Sequence, residues 1–251
     1  MDSTPSTLRP EPGLNRVTDT YRTLRDLIVR GRLAPGSRII EADVAARLRV
    51  SRTPIRAALL RLQREGYVVE LGDGRRARLM VAPLTASDAA DLFDLVGEVE
   101  GLAGRYAAQL EGRQRGRLVA ELTAVNGDIR REGEKARPDG NLWYRLDETF
   151  HRTYVEAAAR TRLLNWHDAI KPQAERYARV YVSALVDEIA TSVEEHAAIV
   201  EAIGAGDADR AQRAVQTNWR NAAVRLSRVI DSVGERGSWS CRLPGRPDSP
   251  G

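Results

Sequence analysis

Asp147 and His151 stand four residues apart, which puts both side chains on one face of a helix. His196 follows in a later helical segment, Glu194-Glu195-His196-Ala197-Ala198-Ile199. One carboxylate and two imidazoles from facing helices form a donor set for a divalent metal, with zinc or nickel suited to it. The same Asp–His spacing also serves as a helix-stabilising surface pair, so spacing alone leaves both roles open. Trp143, Trp166 and Trp219 either fill a helical core or line a pocket. His167 has no evident partner and reads as structural or exposed.

A different chemistry sits in Ser51-Arg52-Thr53-Pro54-Ile55-Arg56. Arg52 and Arg56 share one side of a helix, while Ile55, Leu59 and Leu62 mark the other as buried. The arginine fork bonds guanine O6 and N7 together or grips a phosphate. The hydroxyls of Ser51 and Thr53, with free N–H groups at a helix start, suit phosphate contacts. Arg75 and Arg76, in a turn flanked by Gly72 and Gly74, could follow the DNA backbone or enter the minor groove. The bland alternative is a set of solvated arginines on an ordinary three-helix unit.

Charge distribution bears on that choice. The 251-residue chain carries a formal net charge of +4 and a pI near 9.5. Residues 16–82 hold fifteen Arg and no Lys against seven acidic residues, a net of +8, so the remainder carries −4. The first segment is basic and the second mildly acidic, as expected when only one domain meets a polyanion. Lys occurs only at positions 135 and 171.

These residues need elements to hold them. Val17, Tyr21, Leu24, Leu27 and Ile28 recur at helical spacing up to Gly31, and Leu33-Ala34-Pro35-Gly36 is a turn. A short helix follows over Glu41–Leu48. The next helix is capped by Ser51 or Thr53, with Pro54 in its first turn. Tyr67–Glu70 and Arg78–Val81 then read as two short strands around the Gly-rich turn. After Pro83 the chain is expected to be helical throughout. Thr85 or Ser87 caps a helix to about Leu110, with further helices near 113–132, 141–159, 161–170, 173–185, 187–204 and 207–231 and a break at Pro172. The fold class is mainly α, an N-terminal winged helix-turn-helix followed by a C-terminal all-α bundle. The expected division is a disordered tail at 1–15, a DNA-binding domain at 16–82, an effector-binding and dimerisation domain at 83–235 and a flexible tail at 236–251.

Composition narrows the setting. Hydrophobic residues make up 42% and charged residues 29%, a globular balance. No apolar run reaches the roughly 18 residues of a membrane span, and the N-terminus lacks a secretory pattern. The single cysteine, Cys241, allows no intrachain disulfide and fits a reducing cytoplasm.

The stretch from Val17 to Val81 resembles the GntR family of bacterial transcription regulators. The likeness rests on Leu33-Ala34-Pro35-Gly36, Val44-Ala45-Ala46-Arg47-Leu48, Val50 through Leu59, and Leu62 with Glu65-Gly66-Tyr67-Val68. It implies that Arg38, Arg52 and Arg56 contact DNA and that the wing at Gly72–Gly74 reaches the adjacent groove. Many members carry an arginine where this chain has Ala42. The second half resembles the FCD ligand-binding domain of the family's FadR branch. The matching residues are Asp147-Glu148-Thr149-Phe150-His151, Glu195-His196, and Ala202-Ile203 through Asp207 and Ala211. That likeness implies a metal held by Asp147, His151, His196 and a last-helix residue, here Asn218 in place of histidine. It also implies an effector arginine on the first long helix, where the alignment puts Val96; Arg105, lower on that helix, is the substitute it offers.

The function expected is therefore a ligand-responsive, sequence-specific regulator and not an enzyme. It would be a repressor binding a palindromic double-stranded DNA operator as a homodimer and released by a small metabolite. The alternatives are a metal-dependent hydrolase or lyase fused to a DNA-binding head and a non-specific nucleoid-type binder. Against the enzyme, no carboxylate or imidazole is placed by sequence as a general base beside Asp147, His151 and His196.

Overall fold

A computed structural model describes residues 12–72 and 77–237. Two hydrophobic cores organise it, one ending at Val81 and the other starting at Leu84. The first belongs to α1 (Pro12–Val29), α2 (Glu41–Leu48), α3 (Arg52–Arg64), β1 (Val68–Leu71) and β2 (Arg78–Val81). Tyr21, Leu24 and Ile28 of α1 meet Ile55, Ala58, Leu59 and Leu62 of α3 in its centre. Strands β1 and β2 are antiparallel, with Val68 opposite Val81 and Leu71 opposite Arg78. The backbone from Ser37 to Ile39 adds to the outer edge of β2: Ile39 N–H donates to Leu79 O at 2.8 Å, and Val81 N–H to Ser37 O at 2.9 Å. Helix α2 ends on Arg49 in the left-handed region, at φ 54°, which turns the chain sharply into α3. This is a winged helix-turn-helix.

Helix α1 begins at Pro12, inside the stretch expected to be tail. Proline suits a first helical position because its missing N–H would have no partner there, and a Pro/Ser/Thr-rich composition hides that use.

The second core belongs to α4 (Ala86–Ala108), α5 (Gly112–Gly133), α6 (Gly140–Ala158), α7 (Thr161–Leu185), α8 (Ile189–Ala205) and α9 (Ala208–Val233), with a single three-ten turn at Val186–Glu188. Thr85, rather than Ser87, caps α4 by accepting from Asp88 N–H at 3.2 Å. Asp139 and Asp207 cap α6 and α9 in the same way. Helix α4 lies along α9 at close range. A Cβ on Gly97 would stand 3.0 Å from Trp219 Cβ, and one on Gly104 2.9 Å from Val215 Cγ2. Glycine at these places lets the two backbones approach, which brings Glu100 and Trp219 together.

Two further expectations are corrected. Pro172 does not separate two helices; it lies inside the continuous α7. Its missing N–H removes one backbone bond, but a buried stripe of His167, Lys171, Ala174, Tyr177 and Tyr181 continues through both halves. The segment after α9 is not loose at Arg236. That residue pairs with Leu84 through two backbone hydrogen bonds, of 2.8 and 3.1 Å, and Tyr181 OH donates to Gly234 O at 3.1 Å.

Candidate functional site

The candidate DNA-reading face comes first along the chain. Ser51 is the N-cap of α3, with φ −69° and ψ 166°, and its hydroxyl makes no capping bond. The free N–H groups of the first turn and that hydroxyl both remain open to a phosphate. Arg52, Thr53 and Arg56 are exposed, as is Arg38 on the strand-like segment before α2. Pro54 and Ile55 are buried beneath them. Arg56 Nε donates to Glu41 Oε2 at 2.7 Å, an ion pair that links α3 to the start of α2. The predicted contacts Arg75 and Arg76 lie outside the described residues.

In the helical half, Asp147, His151 and His196 converge: each offers a ligand atom within 4.8 Å of the others. His196 is fully buried, stacked on Phe150 with ring centroids 4.0 Å apart, and neither ring nitrogen has a hydrogen-bond partner. Its Nε2 lies 3.5 Å from Asp147 Oδ1. Burial, then the neighbouring His151 and Arg225, holds its pKa well below the usual range, so the ring is neutral. Neutral imidazole is the form that ligates a metal. Two donors on one zinc-like ion, each about 2.1 Å away, stand roughly 3.4 Å from each other. The buried, unpartnered His196 and its distance to Asp147 fit a metal ion.

Behind this cluster lies Glu100, which the sequence reading did not single out. It is fully buried on α4. Its Oε2 accepts from His151 Nδ1 (2.7 Å), Tyr154 OH (2.6 Å) and Trp219 Nε1 (2.8 Å), and its Oε1 from His167 Nε2 (2.9 Å). Burial alone would push its carboxyl up. The charges of His151 and Lys171 and the hydrogen bonds outweigh that and hold it well below the usual carboxylate range. The Glu100–His151 bond occupies Nδ1 and leaves Nε2 as the ring's coordinating nitrogen, the carboxylate–histidine support common behind metal ligands. His167, read as structural or exposed, is thus buried and does have a partner.

The cluster opens on a cavity enclosed by α4, α6, α7, α8 and α9, with about 750 Å³ of empty space including its mouth. Trp143 and Trp219 line it, as the sequence reading allowed; Asn218 also lines it. Asn218 Nδ2 donates to Glu195 Oε2 at 2.8 Å, which leaves the amide oxygen as its available donor atom. Glu195 also takes both arms of Arg225, at 2.8 and 3.0 Å. Arg105 is corrected here: it is not among the cavity's lining residues and is ion-paired with Asp209 on the outer side of α4 and α9. Trp166 is corrected too, being 67% exposed. Val96, at the place of the family's effector arginine, is buried apolar core. Lys171 and Arg225 are the cationic lining residues that sequence reasoning missed. The available signal was a charge at a periodically apolar place: Glu100 falls four residues after Val96, and Lys171 is one of only two lysines.

Residues 91–221 match the FCD domain family, and residues 17–76 match the bacterial regulatory proteins of the gntR family. The chain belongs to the GntR family and carries an FCD domain. This regulator is 28% identical over 213 residues to a Streptomyces ambofaciens chain named as an uncharacterized HTH-type transcriptional regulator in an unstable DNA locus, covering 84% of the one and 85% of the other. It is 30% identical over 208 residues to the "probable D-xylose utilization operon transcriptional repressor" of Paenarthrobacter nicotinovorans, covering 79% and 84%. Among solved structures, McbR/YncC of E. coli superposes with a TM-score of 0.62 at 17% identity, covering 85% of this chain and 97% of that one. At that identity the likeness concerns the fold. The regulator is a DNA-binding protein of transcription, and among its described residues no helix is long and apolar enough to cross a membrane.

Proposed function

We propose that this regulator is a homodimeric repressor, acting in the cytoplasm, whose hold on a palindromic double-stranded operator is released by a small metabolite in the C-terminal cavity. The observation that carries the reading is the Asp147–His151–His196 cluster, its two histidines buried and His196 lacking any partner, opening onto an aromatic-lined cavity. Residues 16–82 read DNA through Arg38, Ser51, Arg52, Thr53 and Arg56, with Arg75 and Arg76 on the wing. Residues 83–235 bind the effector and pair the protomers, because a two-fold protein matches half-sites about one DNA turn apart. Asp147, His151, His196 and the amide oxygen of Asn218 hold a divalent ion such as zinc or nickel. When bound, that ion supplies a positively charged anchor for an effector oxygen. The effector is bound and returned unchanged. Glu100 is saturated by donors and His167 is tied to it, so neither serves as a general base for turnover. The name of the Paenarthrobacter relative supports repression.

Footprinting on upstream DNA, with zinc-induced thermal shifts, tests the reading. Wild type should protect a discrete two-fold site. Arg52→Ala and Arg56→Ala should each lose about 1–3 kcal/mol of specific binding while melting normally. Asp147→Ala should abolish the zinc-induced shift. Protection without a discrete boundary, or full operator affinity in both arginine variants, would reject the DNA half. A zinc shift of wild-type size in Asp147→Ala would reject the metal half.

A further inference from the structure

Lys171 extends from α7 into the cavity, and its side chain is only 10% exposed. Its ammonium lies 4.6 Å from the Trp219 ring centroid. The nearest carboxylate oxygen, Glu100 Oε1, is 3.9 Å away, beyond hydrogen-bond reach. That oxygen already accepts from His167 at 2.9 Å. The ammonium's three N–H groups thus have no acceptor among the described residues. Held only by this loose ion pair and a ring face, the ammonium keeps N–H groups that gain from an acceptor entering the cavity.

The other cationic lining residue is committed: Arg225 has both arms on Glu195. Besides Glu100, Asp147 and Glu175 stand in the cavity wall with the Lys171 ammonium, so the site opposes a ligand that carries more than one negative charge. Away from it the wall turns apolar, through Phe93, Ala178, Val182, Leu185 and Leu226. We infer that Lys171 is the residue that selects the effector, by donating to the carboxylate of a monoanionic metabolite whose apolar body lies along α7 and α9.

The inference rests on the cavity being the effector site, and its test keeps the two apart. Phenylacetate and octanoate are titrated into the full-length protein by calorimetry. The matching alcohols, 2-phenylethanol and 1-octanol, and phenethylamine serve as uncharged and cationic controls. At least one carboxylate should bind more tightly than its alcohol by about ten- to hundredfold, the worth of a charge-assisted hydrogen bond. Lys171→Met should erase that preference without weakening the alcohol, and Lys171→Arg should restore part of it. Carboxylates binding no better than alcohols, or equally well to Lys171→Met, would overturn the assignment. Zinc alone is titrated in parallel and should bind wild type and Lys171→Met alike. Joint loss of zinc and carboxylate in the variant would make Lys171 a support of the metal centre and also overturn the assignment. A carboxylate that binds through Lys171 yet leaves the operator complex intact would instead sink the release reading and leave Lys171 as an anion site.

Discussion

A carboxylate removed from water survives ionised only where donors replace its hydration, and Glu100 has four of them within 2.9 Å. Glu100→Gln puts an amide N–H₂ where donors already point, leaving Tyr154, Trp219 and the two imidazoles short of acceptors. The expected loss is about 3–5 kcal/mol, or roughly 10 °C in Tm for a chain of this size, read by circular dichroism. A variant melting within about 2 °C of wild type would show that the network carries no such weight. Glu175 behaves oppositely. Burial first, then the Glu148 charge, raises its carboxyl from 4.5 to about 6. The folded chain therefore keeps a proton that the unfolded chain releases between those values. Its favourable contribution is full below pH 4.5 and is lost as pH rises through about 6, a difference of about 2 kcal/mol. Glu175→Gln should then gain stability at pH 7.5 and not at pH 4.5; an equal offset at both would contradict the shift. At this scale the sequence was legible where spacing and chemistry coincide, at Asp147, His151 and His196. Glu100 and Lys171 escaped because they occupy places that periodicity marks as apolar. Arg105 misled because, five residues on, it sits about 140° around the helix from Glu100.

Helix periodicity and capping made most elements readable, since each stripe of apolar residues also ends on a residue such as Gly206 or begins on one such as Asp207. Helix α7 was the exception. A proline is a local signal, while the burial that overrides it comes from α4, α6 and α9 packed against this helix, which no local window contains. The cost of Pro172 should therefore persist in the folded state. Pro172→Ala restores an N–H and a better helix former, and should raise stability by about 1–3 kcal/mol in denaturant melts. An unchanged midpoint would mean that the helix already absorbs the missing bond without strain. The wing was readable as a hairpin from two short apolar runs around Gly72 and Gly74. The third, edge-pairing segment at Ser37–Ile39 was not, because a stretch this short carries no alternation to recognise.

Across the whole molecule, the order of two domains was legible from the +8 charge block and the change of texture after Pro83. The way one speaks to the other was not, because it depends on contacts between residues some ninety positions apart. Helix α7 touches both. Lys171, Ala174, Ala178 and Val182 face the cavity. Arg176 and Val180 line a groove against Ile28, Val29 and Pro35 of the winged domain. Two residues along a helix are about 200° around its axis, so a shift of α7 on the cavity side is delivered to the DNA head on the other. Arg176 makes the firmest link: it is buried, and its Nη2 donates to Ala82 O at 2.5 Å, at the junction of the two cores. A coupling of about 1–3 kcal/mol suffices to change operator affinity by roughly five- to 150-fold. Arg176→Met keeps the bulk of the side chain and removes the donor. It should bind the operator with near wild-type affinity, bind the effector normally, and lose most of the release that the effector causes in a mobility-shift titration. Arg176→Lys, which can still reach the Ala82 carbonyl, should recover part of that release, and its melting temperature controls for misfolding. Release by Arg176→Met at the wild-type effector concentration, in a variant that melts normally, would mean that the signal leaves the cavity by another helix.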